Sequence, residues 1–461
     1  MIVERQEFQY NEAHNFWAML KLTAIDGGFS FGVKERIGID FVVVIDVSKS
    51  MNSDNKLPAV LATLEYMMEN LTENDRFALV QFNDVATLLF DLLPMNDINK
   101  SIVVDILHNI KATGNTNIND GLITGLNILK SRKEENPPIS RLFLLTDGLT
   151  NRGFSHKQII KNIKSQNNDD RMTIYCFGYG VDHSSSVLQT IAFSTAGGLY
   201  YYVKNSDKIA STFGECLAGI FSTIAYSIRV HLEAFDGCRF VKIRTKYLFN
   251  TIQSMKNYIG FLGSMYEQEQ RTILMRLSLR DFKSVCEHKL FTISVSYCSA
   301  INNLQYKESA TVVIQRSQKP KRLFIPLELD VQINRVTSAE AIDFAITSAN
   351  ENNFGIAQQT LLSAIKKISS SSSASEPYCV DLITDLTECI KYVSGPDSFV
   401  GSKVHQIHQY STMYNQERSV GISPKKHVNR TYGYTTEQQI IAKKIAEKTV
   451  SAYLSNYHHN V

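Results

Sequence analysis

No CxxC pair occurs in the chain, and its seven cysteines, Cys176, Cys216, Cys238, Cys286, Cys298, Cys379 and Cys389, are odd in number and widely spaced. That excludes a zinc site of paired thiolates and a disulfide framework. Most of these cysteines read as small buried apolar residues, and the expected setting is the cytosol or the nucleus. No window approaches the ~18 uninterrupted apolar residues of a membrane span. The first residues, MIVERQEFQYNEAHNF, carry Glu4 and Arg5 and no apolar core segment, so a secretory leader is not expected. The net charge is only +3, which gives no global field to recruit nucleic acid or an anionic membrane. A phosphate-binding loop is missing as well. The nearest approach, Gly178-Tyr179-Gly180, has no third glycine and no following Lys-Ser/Thr, and reads as a strand-to-helix turn. With no nucleophile–base pair in view, the chain is not expected to be an enzyme.

What is present has an ordinary globular balance, 44% hydrophobic and 20% charged. The 461 residues exceed one core at ~100–200 residues per domain. IDFVVVID (39–46) and RLFLLTDG (141–148) are continuous apolar runs ending in an acid, the pattern of strands buried on both faces of a parallel sheet. Between and after them, strands at 75–82, 86–93, 172–180 and 199–203 alternate with helical stretches. One helix opens near Pro58; others are expected at 98–110, 118–132, 156–166, 184–195 and 206–226. Such alternation predicts an α/β domain with a doubly wound, mostly parallel, Rossmann-like sheet over 37–226. Residues 227–325 instead offer short alternating segments, the texture of a β-sandwich, and FWAMLKLTAI (16–25) shares it. The N-terminal segment 1–36 is therefore expected to contribute strands to that sandwich, with the α/β domain inserted into it. From 326 to 461 the pattern is helical, with Ala341, Phe344, Ala345 and Ser348 on one face and Leu382, Leu386, Cys389 and Val393 on another. SSSSS (369–373) reads as a flexible polar loop, 395–436 as loop-rich, and 436–455 as a last helix.

The chemistry is concentrated beyond the carboxyl ends of the apolar strands, where open α/β sheets bind ligands. The first strand runs into Asp46-Val47-Ser48-Lys49-Ser50, a later loop reads Thr113-Gly114-Asn115-Thr116-Asn117, and another strand ends in Thr146-Asp147-Gly148. Asp46, Ser48, Ser50, Thr116 and Asp147 bring two carboxylates and three hydroxyls, with no His or Cys. A hard cation wants such an oxygen set: Mg²⁺ first, with Mn²⁺ or Ca²⁺ accepting the same ligands. Two carboxylates leave a divalent ion electrophilic, so an Asp or Glu from a partner protein could complete its shell. The competing reading makes the same residues strand-end caps and turn residues. Lys49 reads as a solvated side chain, Asp84 and Asp120 as turn and helix-start residues, His183 as a capping or partly buried residue, and KKHVNR (425–430) as a solvated loop.

DVSKS, GNTNINDGL and LLTDG together resemble the metal-ion-dependent adhesion site of the von Willebrand factor A family, whose pattern is DxSxS, then Thr, then Asp. SDNKLPAVLATLEYMMENLTENDRFALVQF and YCFGYGVDHSSSVLQTIAFSTAGGLYYYV are similar to that family's framework. The chain as a whole resembles the region shared by plant RING-finger ubiquitin ligases with a von Willebrand A core, through ELDVQINRVTSAEAIDFAITSANENNFGIAQQTLLSAI, YCVDLITDLTECI and YTTEQQII. It has no Cys/His array for a RING, so ligase activity does not follow. The resemblance implies a metal-dependent scaffold or adaptor that binds proteins, or alternatively a non-catalytic, substrate-binding or regulatory component of a ubiquitin ligase system.

Overall fold

A computed structural model describes residues 1–25, 36–133, 139–148, 161, 163, 171–320, 324–420 and 435–457. Most of the expected helix at 156–166 and all of KKHVNR lie outside the described residues.

Two short strands, β1 (Ile2–Val3) and β2 (Glu7–Gln9), precede β3 (His14–Thr23). The α/β unit follows: β4 (Ile39–Asp46), α1 (Lys56–Asn70), β5 (Arg76–Phe82), β6 (Ala86–Pro94), α2 (Asp97–His108), α3 (Ile118–Lys130), β7 (Ile139–Thr146), β8 (Met172–Tyr179), α4 (Ser185–Phe193), β9 (Leu199–Val203) and α5 (Ile209–Phe221). Its sheet has the order β6-β5-β4-β7-β8-β9, with every pairing parallel except that of the edge strand β6. Every residue of β4, β7 and β8 is buried, because helices cover both faces; this is why these strands read as unbroken apolar runs rather than alternating ones. Local chemistry sets the helix starts. The Asn96 side chain accepts from the Asn99 amide, 2.9 Å, at the head of α2, and Asn117 accepts from the Asp120 amide, 3.3 Å, at the head of α3.

Residues 223–317 form β10 (Thr223–Ala234), β11 (Cys238–Arg244), β12 (Leu248–Gln253), β13 (Asn257–Tyr266), β14 (Gln270–Leu279), β15 (Cys286–Ser299) and β16 (Gln305–Ser317). They make two sheets, β1-β3-β14-β11 and β12-β13-β10-β15-β16-β2. β3 runs antiparallel to β14 along its full length, Thr23 opposite Gln270 and His14 opposite Leu279, so one sheet takes strands from both sides of the α/β unit. Phe16, Ala18 and Leu20 of the first sheet share a core with Val230, Leu232 and Ile293 of the second. The long helix expected over 206–226 is shorter: α5 stops at Phe221, and the chain turns at once into β10.

Among the described residues, five helices follow: α6 (Leu327–Asn350), α7 (Phe354–Ser369), α8 (Pro377–Tyr392), α9 (Ser402–Gln416) and α10 (Glu437–Tyr457). Three expectations need correction. The segment 395–436 is not loop-rich throughout, since α9 lies inside it. The serine run is not a flexible loop: Ser373 is fully buried, and its amide and hydroxyl each donate to Asp330 at 2.8 Å. Phe344 does not share the buried face of Ala341, Ala345 and Ser348 but is 52% exposed. Leu382, Leu386, Cys389 and Val393 are all fully buried, as their spacing implied. The seven cysteines are free thiols, five buried and two, Cys286 and Cys298, half-buried.

Candidate metal site

β4 is where the strand order reverses, with β5 on one side and β7 on the other, and such a switch point opens a crevice beyond the carboxyl ends of the strands. Asp46 ends β4, and Asp147 directly follows β7. Both carboxylates are fully buried. The DVSKS loop folds back on itself as a short 3-10 turn, Lys49–Asn55. Within it the Ser48 amide donates to Asp46 Oδ1 at 2.8 Å, and the Ser48 and Ser50 hydroxyls lie 3.0 Å apart. Ser50 Oγ donates to Asp147 Oδ1 at 2.6 Å, closing the distance between the first and last motifs.

The middle loop is tied to the first by backbone bonds, Thr113 N–H to the Val47 carbonyl at 2.7 Å and Lys49 N–H to the Gly114 carbonyl at 3.2 Å. Gly114 sits at φ +79°, a left-handed conformation, and a Cβ there would fall 2.5 Å from Asp84 Oδ2. Asp84 in turn accepts from Asn115, amide at 3.1 Å and Nδ2 at 2.7 Å. Thr116, buried, comes so close to the third motif that its Oγ1 lies 3.0 Å from where a Cβ on Gly148 would stand. The glycine of LLTDG therefore makes room for the threonine of GNTN. All five predicted residues belong to one neighbourhood at the rim of the sheet.

Sequence reading missed two participants. Thr146 donates its hydroxyl to Asp46 Oδ2 at 2.5 Å. Lys56, the first residue of α1, is buried and places Nζ 2.7 Å from Asp147 Oδ2. Thr146 could have been suspected from its place in LLTDG; nothing in the local pattern marked Lys56. Lys49, by contrast, is exposed. Asp120 accepts from the Ala86 amide at 2.6 Å, a structural role, and Asp84 serves the loop rather than the site's interior.

The electrostatics separate Asp46 from the other buried acids of this sheet. At the opposite end of the strands, Asp40 is closed by Arg76 at 2.7 Å and Arg132 at 3.0 Å, and Asp75 by Arg36 at 2.6 Å. Asp46 has no such cation among the described residues. Burial, with Asp147 adding like charge, pushes its carboxyl up to about 6 against the pull of hydrogen bonds from Ser48 and Thr146. A buried carboxylate without a counter-ion, ringed by hydroxyls, is a donor set that fits a hard divalent cation. Among the described residues no cluster of three or more His, Cys, Asp or Glu side chains is gathered to hold a metal; this rim differs in kind, with two carboxylates and hydroxyls.

Comparison with known proteins agrees with the fold. Residues 40–215 match the von Willebrand factor type A domain family, and 326–420 match the N-terminal region of the CPSF6-like RSLD domain. An uncharacterized protein of Synechocystis is 27% identical over 306 residues, 61% of this chain and 70% of its own length. Human inter-alpha-trypsin inhibitor heavy chain H4 is 32% identical over 34% of this chain but only 17% of its own length. The E3 ubiquitin-protein ligase WAV3 of Arabidopsis thaliana is 25% identical over 53% of this chain and 31% of its own length. In three dimensions, a von Willebrand factor type A protein from Catenulispora acidiphila superposes with a TM-score of 0.67 at 14% identity, covering 90% of this chain and 95% of that one. The ArnB paralog VWA2 from Sulfolobus acidocaldarius gives 0.58 at 14% identity, covering 90% and 97%. The α/β unit thus has the fold of a von Willebrand factor type A domain. Among the described residues no helix is long and apolar enough to cross a membrane.

Proposed function

We propose that this protein recognises partner proteins through a divalent cation, Mg²⁺ with Mn²⁺ or Ca²⁺ as substitutes, held by Asp46, Ser48, Ser50, Thr116 and Asp147. When bound, the cation supplies an electrophilic position that an Asp or Glu carboxylate of the partner can occupy. The chain's own residues do the rest. Asp46 brings the buried negative charge, Thr146 and the Ser48 amide orient it, and Gly148 lets Thr116 reach the same rim. The observation that carries this reading is Asp46, a buried carboxylate with no arginine or lysine against it among the described residues, while the other end of the sheet closes its acids with arginine. The protein then acts as a scaffold or adaptor in the cytosol or nucleus. Its parts are 1–36 with 227–325 as a sandwich, 37–226 inserted as the recognition domain, and 326–461 as a helical brace.

Affinity capture from a lysate tests it. Partners held by the wild type in Mg²⁺ should be released by EDTA and not be captured by Asp46→Ala. The loss should exceed the ~10–100-fold that removing an outer support of a metal site costs. Equal capture in all three conditions would remove the cation from the mechanism. The match to a plant ubiquitin ligase favours a second reading, a substrate-binding or regulatory arm of a ubiquitin ligase system. That reading requires a separate ligase among the captured partners and no chain synthesis by the purified protein alone.

A further inference from the structure

The feature that neither the motif nor the proposed function absorbs is Lys56. Its side chain is 9% exposed, its ammonium sits 2.7 Å from Asp147 Oδ2, and it ends 3.4 Å from where a Cβ on Gly180 would stand. The other oxygen of Asp147 accepts from Ser50 at 2.6 Å. Both oxygens of the third-motif aspartate are therefore engaged by the protein itself, and one of the two negative charges at the rim already has a covalently tethered counter-ion. Asp46 and Asp147 end up unlike: among the described residues one carboxylate lacks a cation, and the other has one built in.

We infer that Lys56 is a positioning residue that lowers the site's affinity for a bare divalent cation and makes tight loading depend on the partner's carboxylate. The inference rests on the metal-dependent reading above. With the ammonium in place, the rim presents a net charge of one carboxylate. A divalent ion therefore arrives close to a fixed like charge and leaves an excess of positive charge, which the partner's acid offsets. At short range in a water-poor site such a charge is poorly screened. Lys56 also explains how the rim tolerates two buried acids in the metal-free protein: the ammonium neutralises Asp147 whether or not a cation is bound.

Mn²⁺ titration of the full chain, followed by electron paramagnetic resonance, and melting with and without Mn²⁺ test this without reference to partner capture. Lys56→Met should melt lower than wild type without metal, bind Mn²⁺ about tenfold tighter or more, and show the larger Mn²⁺-induced rise in melting temperature. Addition of acetate as a carboxylate probe should tighten Mn²⁺ binding to the wild type more than to Lys56→Met. Should Lys56→Met not fold, Lys56→Gln, which can keep a hydrogen bond to Asp147 without the charge, takes its place and should again tighten Mn²⁺. Unchanged Mn²⁺ affinity on removing Lys56, in a wild type that binds Mn²⁺ and loses it on Asp46→Ala, overturns the role of Lys56 and leaves the metal site standing. No Mn²⁺ on any folded variant overturns the metal site and this role with it.

Discussion

His408 shows how a single side chain can report on the join between two parts of the molecule. It lies on α9, fully enclosed, with Nδ1 2.8 Å from Gln189 Oε1 of α4. Its neighbours His405 and His183 stack with ring centres 4.1 Å apart. Burial, with His405 beside it, pushes the His408 pKa down to about 3, and burial lowers those of His183 and His405 as well. An unfolded histidine titrates near ~6.5. Below that pH the unfolded chain takes up a proton that folded His408 refuses, so its contribution is whole above about 6.5 and is lost as pH falls toward 3. His408→Gln should flatten the fall of melting temperature between about pH 6.5 and 4 relative to wild type; an identical acid limb in both proteins would place the proton uptake elsewhere.

At the scale of elements, the helix α9 and the serine run were the hardest to foresee, for one reason. α9 turns Ile407, Tyr410 and Tyr414 into the apolar core of the helical region, but its other buried stripe is polar: His405, His408, Gln409, Ser411, Thr412 and Asn415 are all enclosed. Hydropathy periodicity detects apolar stripes, and this stripe is satisfied by hydrogen bonds instead, such as Gln409 Nε2 to the Tyr202 carbonyl at 3.0 Å and Ser411 Oγ to Asp343 at 2.6 Å. Ser373 is held in the same way from α6 by Asp330, which accepts three bonds from Ser372 and Ser373. Asp330→Ala leaves the buried Ser373 amide without its acceptor, at a cost of about 2 kcal/mol. Amide exchange should accelerate around 370–376 while α8 stays protected; unchanged exchange there would mean that the turn is held by its other contacts. The apolar strands and the helices with alanine, leucine and cysteine faces were legible because their burial is hydrophobic and local in sequence.

For the whole molecule, the three parts meet at a buried charge network. Arg418, just past α9, donates to Glu269 at 2.7 Å, to the Ser264 carbonyl at 2.8 Å and to the Gly197 carbonyl at 3.2 Å, so one guanidinium touches the sheet unit and the α/β unit from the helical region. Burial by itself would raise the Glu269 carboxyl, but Arg271 and Arg418 overcome it and hold the group below its ordinary range. Arg418→Met removes one of two cations from an enclosed carboxylate and should destabilise the chain by about 3 kcal/mol in urea unfolding. Because the network spans the parts, the loss should appear as an earlier separation of the helical region; a single transition shifted without change of slope would instead mean that the parts unfold together.

The chain's own pattern determined the parallel strands, the change from α/β to alternating texture, though the strand begins at Thr223 rather than near 227, and which five oxygen-bearing residues to look at. Each depends on what a few adjacent residues can bury or present. Tertiary structure alone decided which charges meet. Lys56 and Asp147 are 91 positions apart, and Arg418 and Glu269 are 149 apart. A lysine opening a helix, or an arginine after one, looks the same in sequence whether it faces water or closes over an acid. Only the packing that removes the water makes that pairing obligatory, and only that packing left Asp46 without a cation among the described residues.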